Sequence, residues 1–517
     1  MKTFAAIDVG SYELAMKIFE ISKEGLREVD YIRHRIDLGT DTFAMGKISY
    51  DRVDELCRIL RDYLEVMKSY RVDDYTAYGT SAFRETENTG IVLDQITQRT
   101  GIHIDVLSNS EQRFLNYKAI ASKGQFSKIV EKGTAIVDIG GGSIQISLFD
   151  KDTLVTTQNM RLGVLRLQDQ LGRLNISPRQ YEVILDEMVS SQIAVFKKLY
   201  LKDRNIENII VVDDYLSAVV EKKTAGREEN SAEMPDVEGF LELIRTKPVQ
   251  QAARELDIPE ENIPLLFISC MLVNRIARVM DAHMIWAPGV TLCDGMAYEY
   301  GERHKIIREE HDFVQDIIAC AQNISKRYMG SKRRGETLEK IAMTIFDSMK
   351  KIHGLGKRER LLLRIATLLH DCGKYISLVN LGECSYNIIL STEIIGLSHL
   401  EREIVANVVK YNHMEFDYAE VMGSGGDIDK AAYLTIAKLT AILKIANGLD
   451  RSHKQKFKDV KASLKERELV ITVDGSVDIT LEKGLFTKRS DFFEEVYNDI
   501  WQNLIMRAKS FFFYIGF

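Results

Sequence analysis

TAIVDIGGGSIQISLF, residues 134–149, reads as strand, turn and strand. Apolar and β-favouring residues run into Asp138, Gly140-Gly141-Gly142-Ser143 forms a turn, and IQISLF alternates apolar with polar as a half-buried strand does. Such a strand-turn-strand wraps a phosphate in backbone N–H groups, because glycine reaches positive φ and lets the chain approach closely. The sequence alone leaves open whether the turn cuts a phosphate or holds one.

The opening segment TFAAIDVGSYELAMKIFEIS follows the same plan. Asp8 matches Asp138 and Gly10 matches Gly140, both at an offset of 130 residues (138 − 8 and 140 − 10), so two similar lobes are expected. YIRHRIDL reads as a third strand, DRVDELCRILRDYLEVMKSY as an amphipathic helix, and YTAYGTSAF and HIDVLS as further strands, with a helix from about Ser110. TLVTTQNMRL, a helix near 178–200 and the strand NIIVVDD repeat the theme. Strands and helices alternate, which predicts an α/β architecture. From about residue 305 the spacing turns to a 3.6-residue period. Near the end DVKASLKERELVITVDG and SVDITLE read as paired strands, and SDFFEEVYNDIWQNLIMRAKSFFF as an amphipathic helix. The boundaries so drawn are 1–130 and 131–304 for the two lobes, 305–456 for a helical domain and 457–517 for a small α+β segment.

A chain of 517 residues is too long for one hydrophobic core. Its 45% apolar and 28% charged content is that of a folded chain. The net charge of −7 argues against duplex nucleic acid as partner, and an anionic ligand needs a locally positive site. Six cysteines without CxxC spacing predict reduced thiols. Asp8 interrupts any signal-peptide core and no run of about 18 apolar residues is found, so the expectation is a cytoplasmic protein without a membrane partner. The terminal FFFYIGF reads as a helix end docking on a core or a dimer interface, and the scattered methionines as core filler.

Seven segments in order, AAIDVGS (5–11), YGTSAFRET (78–86), LSNSEQRF (107–114), VDIGGGS (137–143), RLGVLRL (161–167), LCDGMAYEYG (292–301) and IANGLDRSH (445–453), resemble the exopolyphosphatase and guanosine pentaphosphate phosphohydrolase family. The resemblance implies two ribonuclease H-like lobes of the actin and hexokinase fold, followed by an all-α domain like the HD phosphohydrolases. It also implies an Mg²⁺-dependent enzyme that removes the terminal phosphate of inorganic polyphosphate or guanosine pentaphosphate, and a homodimer formed through the helical half.

Read with that resemblance, Gly10 and Ser11 from one lobe and Gly140, Gly141, Gly142 and Ser143 from the other are expected to bind successive phosphates. Asp8 and Asp138 end their strands where they would hold Mg²⁺ directly or through water, and Arg84 is expected to fork onto phosphate oxygens. Taken singly each is a turn glycine or a capping acid; taken as a set they favour phosphate binding. Hydrolysis also needs a group that accepts a proton from water. The family has two adjacent glutamates where this chain has Glu111-Gln112, and a metal-binding glutamate where it has Gln145. Glutamine accepts no proton at neutral pH. Either Glu111 takes over, or Gln112 only orients the water, as a glutamine does in GTPases.

Tyr12 and Glu13 follow the first turn where the family has small polar residues, and Asp213-Asp214-Tyr215 replaces a Gly-Thr-like turn. Adjacent carboxylates repel a polyanion unless a cation sits between them. In the helical half His370-Asp371 matches the HD dipeptide, while the other ligand positions fall near Thr337 and at Asn447, which favours a structural role over a metal. Three functions stay open: a phosphohydrolase, a binding protein that kept the site and lost the chemistry, and a kinase of the same fold, against which the missing adenosine-type turn at 213–215 counts.

Overall fold

The computed structural model of the protein describes residues 1–123, 125–151, 153–174, 178–223, 231–308, 311–423, 428–457, 459–465, 468–473, 478–497 and 503–508. The C-terminal FFFYIGF lies outside them. The chain divides into two compact units, Met1–Asp316 and Ile317–Phe517.

The first unit holds two sheets. One is built from β1 (Lys2–Val9), β2 (Glu13–Ser22), β3 (Gly25–Arg35), β4 (Asp74–Gly79) and β5 (Asp105–Val106), in the order β3-β2-β1-β4-β5. The other is built from β6 (Thr134–Ile139), β7 (Ile144–Asp150), β8 (Thr153–Met160), β9 (Asn208–Val212), β10 (Ser231–Glu233) and β11 (Met284–Trp286), in the order β10-β11-β9-β6-β7-β8. Five strands of each sheet correspond, and the correspondence reaches single residues. Asp8 pairs with Ala15 and Asp138 with Gln145. The register between the second and third strands shifts at Ile18/Phe19 in one sheet and at Leu148/Phe149 in the other. Every one of these pairs keeps the 130-residue offset, so the lobes repeat one frame.

Helices cover these sheets because their apolar residues recur on one face. Tyr50–Ser69 buries Val53, Leu56, Leu60 and Tyr63, and the Tyr63 hydroxyl donates to the Leu14 carbonyl at 2.9 Å. In the second lobe the helix Ile263–Met280 sits in the main core. The segment Glu260–Met280 is long and apolar enough to cross a membrane by length and composition, yet 78% of its 18-residue apolar window is buried inside the protein, as a core helix is.

One helix departs from the sequence boundaries. Leu292–Arg303 follows the second lobe in the chain but packs on the first sheet, where Leu292, Cys293, Met296 and Ala297 join Phe4, Ala6, Phe19 and Ile21. Lys17 and Lys118 bond Asp294 and Glu302 of this helix at 2.9 and 2.7 Å. A Cβ on Gly295 would lie 2.1 Å from the Leu115 carbonyl oxygen, so glycine is what lets the two helices touch.

The second unit is mainly helical, with Lys332–Ser348, Lys357–Leu369, His399–His413 and Lys430–Leu449 around its interior. Its small sheet pairs β12 (Val460–Lys465) antiparallel to β13 (Glu468–Val473), and β13 parallel to β14 (Asn503–Ala508). Two readings of this region are corrected. SVDITLE is no strand where it is described: Asp478 accepts from the Thr480 backbone N–H and hydroxyl and starts the helix Thr480–Tyr497. NLIMRA, read as helix, forms the strand β14.

Candidate functional site

Each repeat places a glycine turn at the end of its first strand. Gly10 N–H donates to the Glu13 carbonyl and Gly140 N–H to the Ser143 carbonyl, both at 3.0 Å. None of Gly10, Gly140, Gly141 or Gly142 has positive φ, so the reason first given for these glycines is corrected: at Gly10, Gly140 and Gly141 it is space that favours glycine. A Cβ on Gly10 would lie 2.8 Å from the Glu13 carbonyl oxygen, one on Gly141 2.8 Å from Leu165 Cδ1, and one on Gly140 3.2 Å from Arg113 Nη2.

The helix Val164–Arg173 docks its N-terminus on the second turn. Val164 and Arg166 N–H donate to the Gly140 and Gly141 carbonyls at 3.1 and 3.0 Å, and Arg166 Nε donates to the Gly142 carbonyl at 2.9 Å. Arg166 also pairs with Glu85 of the first lobe at 3.4 Å, so both lobes contribute side chains beside Gly142. In the first turn, the buried Ser11 hydroxyl bonds that of Ser81 at 2.6 Å.

Arg113, which sequence reasoning missed, lies at the second turn. It projects from the helix Asn109–Ala121, is buried, forms an ion pair with Asp138, and donates through Nη2 to the Ser143 carbonyl at 3.0 Å. One turn further along the helix, Asn116 Nδ2 donates to Asp138 Oδ2 at 2.8 Å. The available signal was an Arg and an Asn three residues apart in a helix whose neighbours are apolar, since polar groups sharing a buried face imply a polar partner.

Glu111 and Gln112 precede Arg113. The Glu111 carboxylate accepts from Ser108 N–H at 2.9 Å while Ser108 Oγ accepts from Glu111 N–H at 3.2 Å, a reciprocal cap that commits this acid to its own helix. Gln112 Oε1 accepts from Arg84 Nη1 at 3.0 Å, and Arg84 also donates to the Leu107 carbonyl and to Asn109 Oδ1 at 2.8 and 2.7 Å. Burial brings the Arg84 guanidinium down to about 10, so it stays charged at neutral pH.

The opposite wall is acidic. Burial, then Asp214 and Glu13, push Asp8 up to about 7 against the opposing pull of Arg84, and Asp8 Oδ1 is buried without a hydrogen-bond partner. The Asp213-Asp214 pair separates into two tasks. Asp213 caps a helix through Tyr215 N–H at 2.6 Å and Leu216 N–H, and takes the Ser269 hydroxyl at 2.7 Å. Asp214, raised by burial and lowered by Arg113 and Arg33, acts electrostatically on Asp8 and Glu13.

Asp8, Asp138 and Gln145 do not form a fitting Mg²⁺ set. Asp138 has one oxygen on Arg113 and the other on Asn116, and Gln145 supplies a buried neutral amide, which leaves Asp8, with its unpartnered Oδ1, as the one anionic group of the three that is not already paired. A hard divalent cation takes several oxygen ligands, anionic ones among them. Among the described residues no three His, Cys, Asp or Glu side chains cluster as a metal site.

Asp8 yields a pH prediction. The folded chain keeps this proton up to about pH 7, whereas the unfolded chain releases it near 3.8. Asp8 therefore costs no stability below pH 3.8, costs increasingly more from there to pH 7, and costs a constant amount above. Asp8→Asn should raise the melting temperature at about pH 8, with less than half that gain at about pH 5. Equal gains at the two pH values in thermal melts would refute the assignment.

In the second unit His370 and Asp371 are buried, and their neighbours are side chains of the protein. Lys374 Nζ lies 2.9 Å from Asp371. Arg334, almost fully buried, donates to Asn447 Oδ1 at 2.7 Å, pairs with Asp450 at 3.4 Å and is close enough to Asp371 for each to shift the other. Burial keeps the His370 imidazole neutral by lowering its pKa. Among the described residues Thr337 bonds its own helix, at the Arg333 carbonyl. Guanidinium and ammonium groups thus balance the charge around the His-Asp pair.

Residues 17–217 match the Ppx/GppA phosphatase family and residues 318–488 match Ppx/GppA phosphatase, domain III. A guanosine-5'-triphosphate,3'-diphosphate pyrophosphatase of Vibrio cholerae is 21% identical over 91% of this chain and 92% of its own length. A bifunctional 3-dehydroquinate synthase/phosphatase of Fusobacterium nucleatum is 21% identical over 32% of this chain, which spans only 26% of that relative. Among solved structures, the fold is like that of the Aquifex aeolicus Ppx/GppA family member (TM-score 0.50, 14% identity, 60% of this chain and 99% of that one). It is also like an exopolyphosphatase from Cytophaga hutchinsonii (TM-score 0.51, 16% identity, 58% and 98%). With matches to both halves of the chain and a repeated two-lobed frame carrying the glycine turns, this chain belongs to the Ppx/GppA phosphatase family.

Proposed function

We propose that the site between the two glycine turns binds the terminal phosphate of a phosphoanhydride chain, inorganic polyphosphate or guanosine pentaphosphate, and hydrolyses it slowly. Membership in a phosphatase family supports the reaction class. The Vibrio cholerae relative, matched along nearly its whole length, supports a guanosine nucleotide with a terminal phosphoanhydride; polyphosphate presents the same bond without the nucleoside.

The observation that carries the reading is the fate of the two residues at 111 and 112. Glu111 caps its helix and Gln112 is an amide held by Arg84, so neither is poised to accept a proton from water. What remains is positioning. Backbone N–H groups of the turns, the Ser11 and Ser143 hydroxyls, and the Arg84, Arg113 and Arg166 guanidiniums supply dipoles and charge around a bound phosphate. In phosphoryl transfer such positioning and charge stabilisation make up most of the catalysis, so turnover is weak without being abolished. The helix Val164–Arg173 contributes through the turn, since its first N–H groups are spent on Gly140 and Gly141 carbonyls.

The test is orthophosphate release from long-chain polyphosphate and from guanosine pentaphosphate with Mg²⁺, beside calorimetric binding of both, with Asp138→Ala as the control for contaminating phosphatase. The expected result is saturable binding of at least one substrate with turnover below about 0.1 s⁻¹, against the roughly 1–10³ s⁻¹ typical of enzymes. Binding of neither substrate would overturn the reading. Turnover above about 1 s⁻¹ that Asp138→Ala abolishes would overturn the claim of slowness.

A further inference from the structure

Arg113 is an unusual occupant for the floor of a phosphate turn. Its side chain is 5% exposed and that of Asp138 is 7% exposed. The guanidinium reaches Asp138, the Ser143 carbonyl at 3.0 Å and the Ser143 hydroxyl at 3.5 Å, and lies 3.2 Å from where a Gly140 Cβ would be. It touches three points of the turn at once, and Asn116 takes the remaining Asp138 oxygen. A buried carboxylate needs a compensating cation. Here that cation is part of the chain.

We propose that Arg113 is the resident cation of this turn, holding the Asp138 carboxylate that a divalent ion would otherwise take, so that a phosphate ligand binds here without a metal at Asp138. The claim rests on the phosphate-binding reading above and adds the source of positive charge. The planar guanidinium suits the position, because its fork engages a carboxylate and a backbone carbonyl together and it stays protonated at any physiological pH. The neutral residue at 145 fits as well. With Arg113 present, Asp138 already has its counter-charge, and a carboxylate at 145 would add an uncompensated one.

The experiment has two readouts. In the first, Mn²⁺ binding without phosphate is followed by electron paramagnetic resonance in wild type, Asp138→Asn, Arg113→Ala and Arg113→Ala/Asp138→Asn. The quantity read is the difference between chains with and without the Asp138 carboxylate, which removes Mn²⁺ taken up elsewhere. We expect no difference while Arg113 is present and one additional Mn²⁺ site in Arg113→Ala that the double variant loses. An Mn²⁺ site that wild type holds and Asp138→Asn loses overturns the proposal.

In the second, tripolyphosphate binding is measured by calorimetry in EDTA and in Mg²⁺. Wild type should bind within threefold under both conditions, whereas Arg113→Ala should weaken at least tenfold in EDTA and recover in Mg²⁺. Wild-type binding that EDTA abolishes and Mg²⁺ restores overturns the proposal. No tripolyphosphate binding under either condition overturns the phosphate-binding reading, and the Mn²⁺ comparison still decides the role of Arg113. Circular dichroism checks each fold, and Arg113→Gln replaces Arg113→Ala if the alanine variant does not fold.

Discussion

Gln112→Glu raises orthophosphate release by about ten- to a hundredfold. A well-placed general base contributes roughly 10²–10⁴ in rate, and the gain here falls at or below the bottom of that range because Arg84, 3.0 Å from the side-chain oxygen of residue 112, would stabilise a carboxylate there and reduce its basicity. The exchange is isosteric, and an ion pair between Arg84 and the new carboxylate would take over the present hydrogen bond, so the helix Asn109–Ala121 should keep its place. Gln112→Ala serves as the control and should not raise the rate. Adding Gln145→Glu places a second carboxylate on β7 directly opposite Asp138 in the register. If release in Gln112→Glu stays at the wild-type level, position 112 does not face the attacking water and the proposed mechanism is wrong.

Gly163→Ala should cost more stability than most single substitutions, about 4 kcal/mol or above, and should abolish phosphate binding with it. Gly163 caps the helix Val164–Arg173 in ordinary extended backbone (φ −70°, ψ 151°), so its torsion angles are open to any residue. Space is not. A Cβ there would stand 2.3 Å from the Gly141 carbonyl oxygen, the Gly142 carbonyl carbon and the Ser143 nitrogen, all backbone atoms that no rotamer change can move aside. Relief requires the helix to leave the turn, which breaks the Val164 and Arg166 hydrogen bonds to Gly140 and Gly141 at about 1 kcal/mol each and exposes buried Val164 and Leu167. Gly172→Ala, in the same helix with nothing within 4 Å of the new Cβ, should be neutral or slightly stabilising. Equal melting temperatures for the two variants would contradict the account.

The fold was legible where a local pattern has one physical meaning. An apolar run, an acid, a glycine turn and an alternating strand repeated 130 residues later specify two hairpins of equal register, and the structure carries the repeat down to the strand irregularities at Ile18/Phe19 and Leu148/Phe149. Legibility ended where a segment's meaning depends on distant partners. The helix Leu292–Arg303 has no local feature telling which sheet it covers, and NLIMRA is amphipathic enough for a helix until β13 offers it a parallel edge. At the site, the placement of the Asp, Gly and Ser residues at the strand ends and turns was legible because type and spacing carry it. For Arg113 the spacing with Asn116 signals a polar partner, and only the folded chain shows that partner to be Asp138, 25 residues away (138 − 113).

The repeated frame has been filled unequally. At corresponding places after the two turns stand Glu13 and Ser143, and Ala15 corresponds to Gln145. Asp8 keeps an unbonded oxygen near Asp214, while its counterpart Asp138 is neutralised by a guanidinium. Two hairpins of matching register therefore carry different electrical character, one with its acid neutralised and the other with its acid open. A symmetric pair of turns would accept a linear anion in either direction; an unequal pair would give the two directions different energies, and so a head and a tail to a phosphate chain bound as proposed.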